Sequence, residues 1–134
     1  MKKVSVIVER ASDGFFSAYM EDNDLDYGLI GTGSTTAKCI EDIKQAYEEM
    51  KEHYEKTGKF FEEIDMVFSY DVQSFLAYYS NKLSLAGLEK ITGIAQGQLS
   101  HYVTGRRNPS DKTKAKIEKA LHEFAHDLSQ VHLV

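Results

Sequence analysis

The chain predicts an α+β layer followed by an all-α helix-turn-helix, and three observations point there. Short β-branched and aromatic runs of alternating character fill the first part and one long amphipathic pattern follows. Farther along, two short apolar-periodic segments are joined by Gly93-Ile94-Ala95. Charge divides the same way: residues 1–80 hold 8 Lys+Arg against 16 Asp+Glu, a balance of −8, whereas residues 81–134 hold 8 against 5, a balance of +3. The 134 residues suffice for one ordinary domain or two small ones. The shift in composition favours two, with residues 1–70 as the α+β unit and 71–134 as the helical one.

Val4, Val6 and Val8 alternate with Ser5, Ile7 and Glu9, the pattern of a half-buried strand. After the turn Ser12-Asp13-Gly14 a second extended run, Phe15 to Met20, completes a hairpin. Glu21 to Asp26 is a polar connection, and Tyr27 to Thr32 resumes the extended pattern as a third strand beside the second. Asp22, Asp24 and Asp26 match the first ligands of an EF-hand loop. Tyr27 stands where that loop needs Gly, and its last position is Gly33 where a bidentate Glu belongs, so a solvated connection is expected rather than a calcium site.

Ser34 or Thr35 can cap the strongest period in the chain, the stripe Cys39/Ile40, Ile43, Tyr47, Met50 and Tyr54, which predicts an amphipathic helix ending at Thr57-Gly58. Cys39 lies on that stripe with no nearby His or basic pair to activate it, and reads as a small core residue. Phe60 to Tyr70 follows, with Met66-Val67-Phe68 as a fourth strand, and Asp71 caps a helix from Val72 to Tyr79. The order is βββαβ, a sheet covered on one face by its helix.

The second unit centres on Ser84 to Ser110. Leu85, Leu88 and Ile91 fall at helical spacing on one short segment, and Leu99 and Val103 on the next. Neither segment is long enough to be stable alone, so the two pack on each other across a turn for which Gly93 supplies the backbone freedom. The remaining face of the second segment carries Gln96, Gln98, Ser100, His101 and Tyr102, all able to hydrogen-bond. A Gln side chain donates and accepts at once, which suits the adenine edge in the major groove, and residues at the start of a recognition helix reach base edges. Thr104, Arg106, Arg107 and Asn108 sit in the loop beyond, placed to touch phosphates, with Lys112 on the first turn of a final helix. That helix starts at Asp111 and buries Ile117, Ala120/Leu121, Phe124 and Leu128.

The order Leu85…Leu88…Gly93-Ile94…Leu99-Ser100…Gly105-Arg106…Pro109-Ser110 resembles the XRE/Cro/phage-repressor family over Val72 to about Leu121. The first unit, with Asp13-Gly14-Phe15-Phe16-Ser17-Ala18 in its hairpin and Gly33-Ser34-Thr35 leading into its helix, resembles the N-terminal domain of HicB antitoxins. That resemblance implies a degenerate RNase H-like fold followed by a DNA-binding module. It also implies a protein partner: a HicA-like toxin, a small basic mRNA interferase whose active site the antitoxin covers.

One motif points elsewhere. His122-Glu123-Phe124-Ala125-His126 fits the zinc-peptidase pattern H-E-x-x-H, in which two histidines one turn apart bind Zn²⁺ and the Glu activates water. Only His132 lies downstream as a further histidine, and no room remains for a substrate-binding subdomain, so a solvated helix edge is the preferred reading over a metallopeptidase. No convincing carboxylate cluster marks the first unit as a nuclease, and neither a catalytic residue, a metal nor a cofactor is expected. A lone cysteine excludes an intramolecular disulfide framework, and no apolar run approaches a membrane span or a signal-peptide core, so a cytoplasmic protein is expected. The reading is a repressor of operator DNA that neutralises a HicA-like toxin and acts as a homodimer or higher oligomer. The competing class is a transcriptional regulator whose first unit senses a small ligand.

Overall fold

The computed structural model of the chain describes residues 1–134. They divide into two compact units, Met1–Tyr78 and Tyr79–Val134.

The first unit is built on strand β1 (Lys2–Arg10), which lies inside a four-stranded sheet. Strand β2 (Phe16–Met20) runs antiparallel to it, with Ile7 opposite Tyr19 and Val8 opposite Ala18. Strand β3 (Ile30–Gly33) extends the meander antiparallel to β2. Helix α1 (Thr36–Thr57) then carries the chain back, and strand β4 (Ile64–Tyr70) pairs parallel to β1 on its other side, with Val6 opposite Phe68. The strand order is therefore β3-β2-β1-β4. A parallel partner for β1 requires a long crossover, and α1 is that crossover.

The α1 stripe read from the sequence is the one buried. Cys39, Ile40, Ile43 and Tyr54 pack with Val6, Val8, Phe16 and Ala18 from the covered face of the sheet, and Ala46, Tyr47 and Met50 join them at the edge. Gly31 and Gly33 let this helix lie close to β3. A Cβ on Gly31 would stand 2.7 Å from the Cys39 carbonyl oxygen and from Ile43, and one on Gly33 would stand 2.6 Å from the Cys39 nitrogen. The helix starts where Thr35 accepts a hydrogen bond from the Lys38 N–H and ends where Gly58, at φ 71°, turns left-handed and donates back to Glu55.

Two expectations are corrected here. The third strand begins at Ile30, not Tyr27, because the preceding residues turn inward. Tyr27 and Leu29 are buried, and the Tyr27 hydroxyl donates to the Glu62 carbonyl at 2.7 Å while its ring stacks on Phe61. Helix α2 (Val72–Tyr79) also belongs almost entirely to the first unit, so the division falls at Tyr78/Tyr79 instead of 70/71. Asp71 explains the attachment: one carboxylate oxygen caps α2 at the Ser74 N–H (2.7 Å) and the other accepts from the Arg10 N–H at the end of β1 (3.1 Å). Thr36 Oγ1 adds a bond to the Ser74 carbonyl.

The second unit comprises α3 (Leu85–Thr92), α4 (Gln96–Val103) and α5 (Asp111–Ser129). Helix α3 packs against both α4 and α5, and the core holds Leu88, Thr92, Leu99, Tyr102 and Ile117. No helix of the chain is long and apolar enough to cross a membrane.

Candidate nucleic-acid interface

Each end of the α3–α4 pair is held by a specific bond. Ser84 Oγ accepts from the Gly87 N–H to start α3, and Gly93, at φ 75°, ends it by donating to Glu89. Thr92 is buried with its hydroxyl donating to Leu88, and the same oxygen accepts from the Ile94 N–H, so the turn is stitched from within. Helix α4 has Ala95 at its N-cap and no capping side chain of its own. Glu89 reaches across from α3 and accepts from the Gln96 N–H at 2.6 Å. This carboxylate satisfies an orphan amide and places negative charge at the positive end of the α4 dipole. Sequence reading alone does not find it, because the link joins two helices and follows no local capping spacing.

Around α4, Leu99 and Tyr102 point into the core. Gln96, Ser100 and Thr104 are exposed on the opposite side, with Gly97 between them and His101 half-buried beside them. Gly97 has helical backbone and open space where a Cβ would stand, so this side of the helix can come close to another surface. Two of the residues read as base-contacting sit differently from expectation. Tyr102 is only 5% exposed and belongs to the core rather than the outward face, since it falls one turn from Leu99 on the buried side. Gln98 lies at the flank, where its amide donates to the Tyr102 hydroxyl at 3.1 Å. Burying a tyrosine hydroxyl calls for a partner, and Gln98 supplies it.

Past α4, Gly105 at φ 75° turns the chain, and Arg106, Arg107 and Asn108 stand exposed in the loop. Neither arginine forms a salt bridge. Ser110 Oγ then accepts from the Thr113 N–H to open α5, whose first turn exposes Lys112. Lys116 extends back toward the α3–α4 turn, its Nζ 3.8 Å from where a Cβ on Gly93 would be. The structure thus presents a polar helix face, a loop with two unpaired guanidinium groups, and a lysine-bearing helix start. Guanidinium groups and exposed polar side chains in this arrangement suit phosphate oxygens and base edges.

The other candidate chemistries have no such geometry. His122, Glu123 and His126 are exposed on α5, and the chain holds no group of three or more metal-ligating side chains. In the acidic connection, Asp24 pairs with Lys2 and Asp26 accepts from the Tyr54 hydroxyl. Cys39 is fully buried, and burial, with a smaller contribution from the charge of Asp42, pushes its thiol up to about 11, the opposite of activation.

One surface of the first unit also stands out. The sheet face away from α1 carries a row of cross-strand neighbours, Ile30, Tyr19 and Ile7, with Val67 diagonal to Ile7 on β4. Ile30 is 68% and Val67 45% exposed, so the row is open to solvent. Glu9, Glu21 and Asp65 stand around it, with Lys3 opposite Asp65. The Tyr19 hydroxyl is raised above its ordinary pKa, first by desolvation and then by the charge and hydrogen bond of Glu9.

Comparison with known proteins bears on the second unit alone. Residues 80–123 match the profile of a family described as helix-turn-helix. No curated protein and no solved structure matches the chain. The matched span begins one residue after the unit boundary and encloses α3, the turn, α4, the basic loop and the first part of α5. Residues 80–123 thus match an XRE-like helix-turn-helix domain, which supports a DNA-binding regulator.

Proposed function

We propose that the chain is an antitoxin-type repressor: the second unit binds operator DNA, and the first binds and neutralises a small basic HicA-like mRNA interferase. It acts by occupancy and performs no catalysis. The observation that carries the DNA half is the outward face of α4 followed by two exposed arginines with no carboxylate partner. In that pose Gln96, Ser100 and His101 approach base edges, Gln98 stays at the flank, and Thr104, Arg106, Arg107, Asn108 and Lys112 lie along the phosphates. Tyr102 supports the helix from beneath. One helix of 8 residues reads few bases, so two copies on adjacent half-sites complete the reading.

The toxin half is supported by the βββαβ order and by the open sheet face, apolar along its middle and mainly acidic at its margin, where Lys3 is the exception. A unit with a balance of −8 repels nucleic acid and attracts a cationic protein. An exposed apolar row rimmed by charge suits a protein surface better than a small molecule, which favours this over the ligand-sensing alternative.

A gel-shift titration with the DNA upstream of its own gene, against random duplex, tests the first half. Specific retention with a steep salt dependence is expected, and equal affinity for both duplexes would refute the repressor. Co-expression with the product of the adjoining reading frame tests the second. Relief of growth arrest that Ile30→Asp abolishes supports it, and a harmless neighbouring protein would remove the antitoxin role.

A further inference from the structure

The two edges of the first unit's sheet are finished differently. At β3 the Asp42 carboxylate of α1 accepts from the outward Thr32 N–H at 2.8 Å, and the helix lies close along the strand. At β4 the middle of the edge is bare. Backbone groups of successive strand residues point to opposite sides, so one bond fixes the direction of the rest. The Asp71 N–H donates to the Val8 carbonyl, which turns Ser69, Val67 and Asp65 toward β1 as well and leaves Ile64, Met66 and Phe68 pointing outward. Tyr47 covers the first of these, its hydroxyl accepting from the Ile64 N–H. The Met66 and Phe68 amides donate to no group of the chain. A bare edge in a strand of 7 residues, with no proline and no bulge, is a template for another strand.

We infer that a second copy of the chain covers this edge, two β4 strands pairing antiparallel about a two-fold axis through Val67 and joining the two sheets into one. A two-fold interface must match itself, and this register does. Met66 and Phe68 of one copy exchange hydrogen bonds with Phe68 and Met66 of the other, so both bare amides of each copy are used. Val67 meets Val67 where side chains approach most closely, and Asp65 faces Ser69. An axis at Met66 would set Phe68 against Ile64, whose amide is already engaged, and one at Asp65 would oppose two carboxylates. Glu63 and Asp71 come opposite each other just outside the strand, but Lys51 pairs with the first at 2.7 Å and the Ser74 and Arg10 amides donate to the second. Charge favours a second copy over a basic protein here, because the edge is locally balanced. Lys3 stands opposite Asp65, and Lys44 lies over the Phe68 ring at 5.6 Å. The remaining repulsion between two acidic units acts at longer range, where salt screens it. The pairing stands apart from the operator and toxin readings, since it uses the backbone of β4 alone.

Amide hydrogen exchange of the full-length wild-type chain across the micromolar range tests it. At high concentration the Met66 and Phe68 amides exchange about tenfold or more slowly than on dilution. Added salt strengthens that protection, the reverse of its effect on DNA binding. Val67→Lys, at a position 45% exposed, leaves the circular dichroism unchanged and frees both amides at every concentration. Cysteine pairing reads the register. Val67→Cys forms a disulfide-linked dimer under oxidised glutathione, since the paired Cα atoms stand about 4.5 Å apart, whereas Ser69→Cys, facing Asp65, does not. The wild type stays silent because its Cys39 is buried. Fast exchange of both amides at all concentrations, or equal cross-linking by the two cysteine variants, would overturn the pairing. Protection that appears only when another protein is added would give the edge to that partner and overturn it as well.

Discussion

The two units solve the same problem of a small core in different ways. In Met1–Tyr78 a single sheet is sealed by one long helix, and close approach is secured by glycine on β3, where Gly31 meets the backbone of α1. In Tyr79–Val134 no element is covered along its whole length: short helices of 8 residues are held by caps and by a few large side chains, Leu88, Leu99, Tyr102 and Ile117. The first depends on shape over a broad layer. The second depends on a handful of contacts, and it leaves one face of α4 and the end of α5 free for partners. Their opposite charge balances, −8 for residues 1–80 and +3 for 81–134, fit each to a different class of partner.

Substitutions can sharpen that contrast. The largest effect is expected from Leu99→Ala, which empties the centre of the small core and should cost about 3 kcal/mol, enough to melt the helix-turn-helix. Thermal unfolding followed by circular dichroism should show early loss of helix while the sheet persists. A single transition lowered as a whole would show that the units do not fold separately, and an unchanged one would remove Leu99 from the core. Gly31→Ala should cost about 2 kcal/mol in the first unit through overpacking against Cys39 and Ile43, with DNA binding at low temperature retained.

Glu89→Ala is a smaller change, about 1 kcal/mol, because it removes the side-chain cap at the N-terminus of α4. Denaturant titration should register it, and an unchanged midpoint would mean that water replaces the carboxylate. Gly97→Ala should move the other way, stabilising the second unit by about 0.5–1 kcal/mol since the backbone there is helical and a methyl meets open space. If Gly97 serves close approach to DNA, the same variant should bind the upstream duplex more weakly. A variant both more stable and equally tight would assign that glycine no role in binding.

How far the sequence was sufficient depends on how local the deciding interaction is. The α1 stripe is legible because a helix writes its buried face as a period, and Thr35 and Gly58 mark its ends. The helix-turn-helix is legible for the same reason, with Gly93 at the turn. The start of β3 is not, because Tyr27 and Leu29 alternate like strand residues while their side chains are drawn into an aromatic cluster with Tyr54 and Phe61, far along the chain. Tyr102 is misplaced by chemistry rather than by distance: a tyrosine counts as polar in a list of hydrogen-bonding residues, yet its ring belongs with Leu99. The Gln98–Tyr102 bond follows from that burial and could be anticipated once it is known. The extent of α2 in the first unit is set by Asp71 bonding back to Arg10, a contact across 61 positions that no local pattern encodes.

The central claim is that one unit meets DNA and the other does not. Amide chemical-shift mapping of the full-length chain, as a duplex from the region upstream of its gene is added, tests this most directly. The account predicts shifts at Gln96, Gly97, Ser100, Thr104 to Asn108 and Lys112, with the amides of the four-stranded sheet unmoved. Shifts centred on the sheet or on α1, with α4 silent, would contradict it.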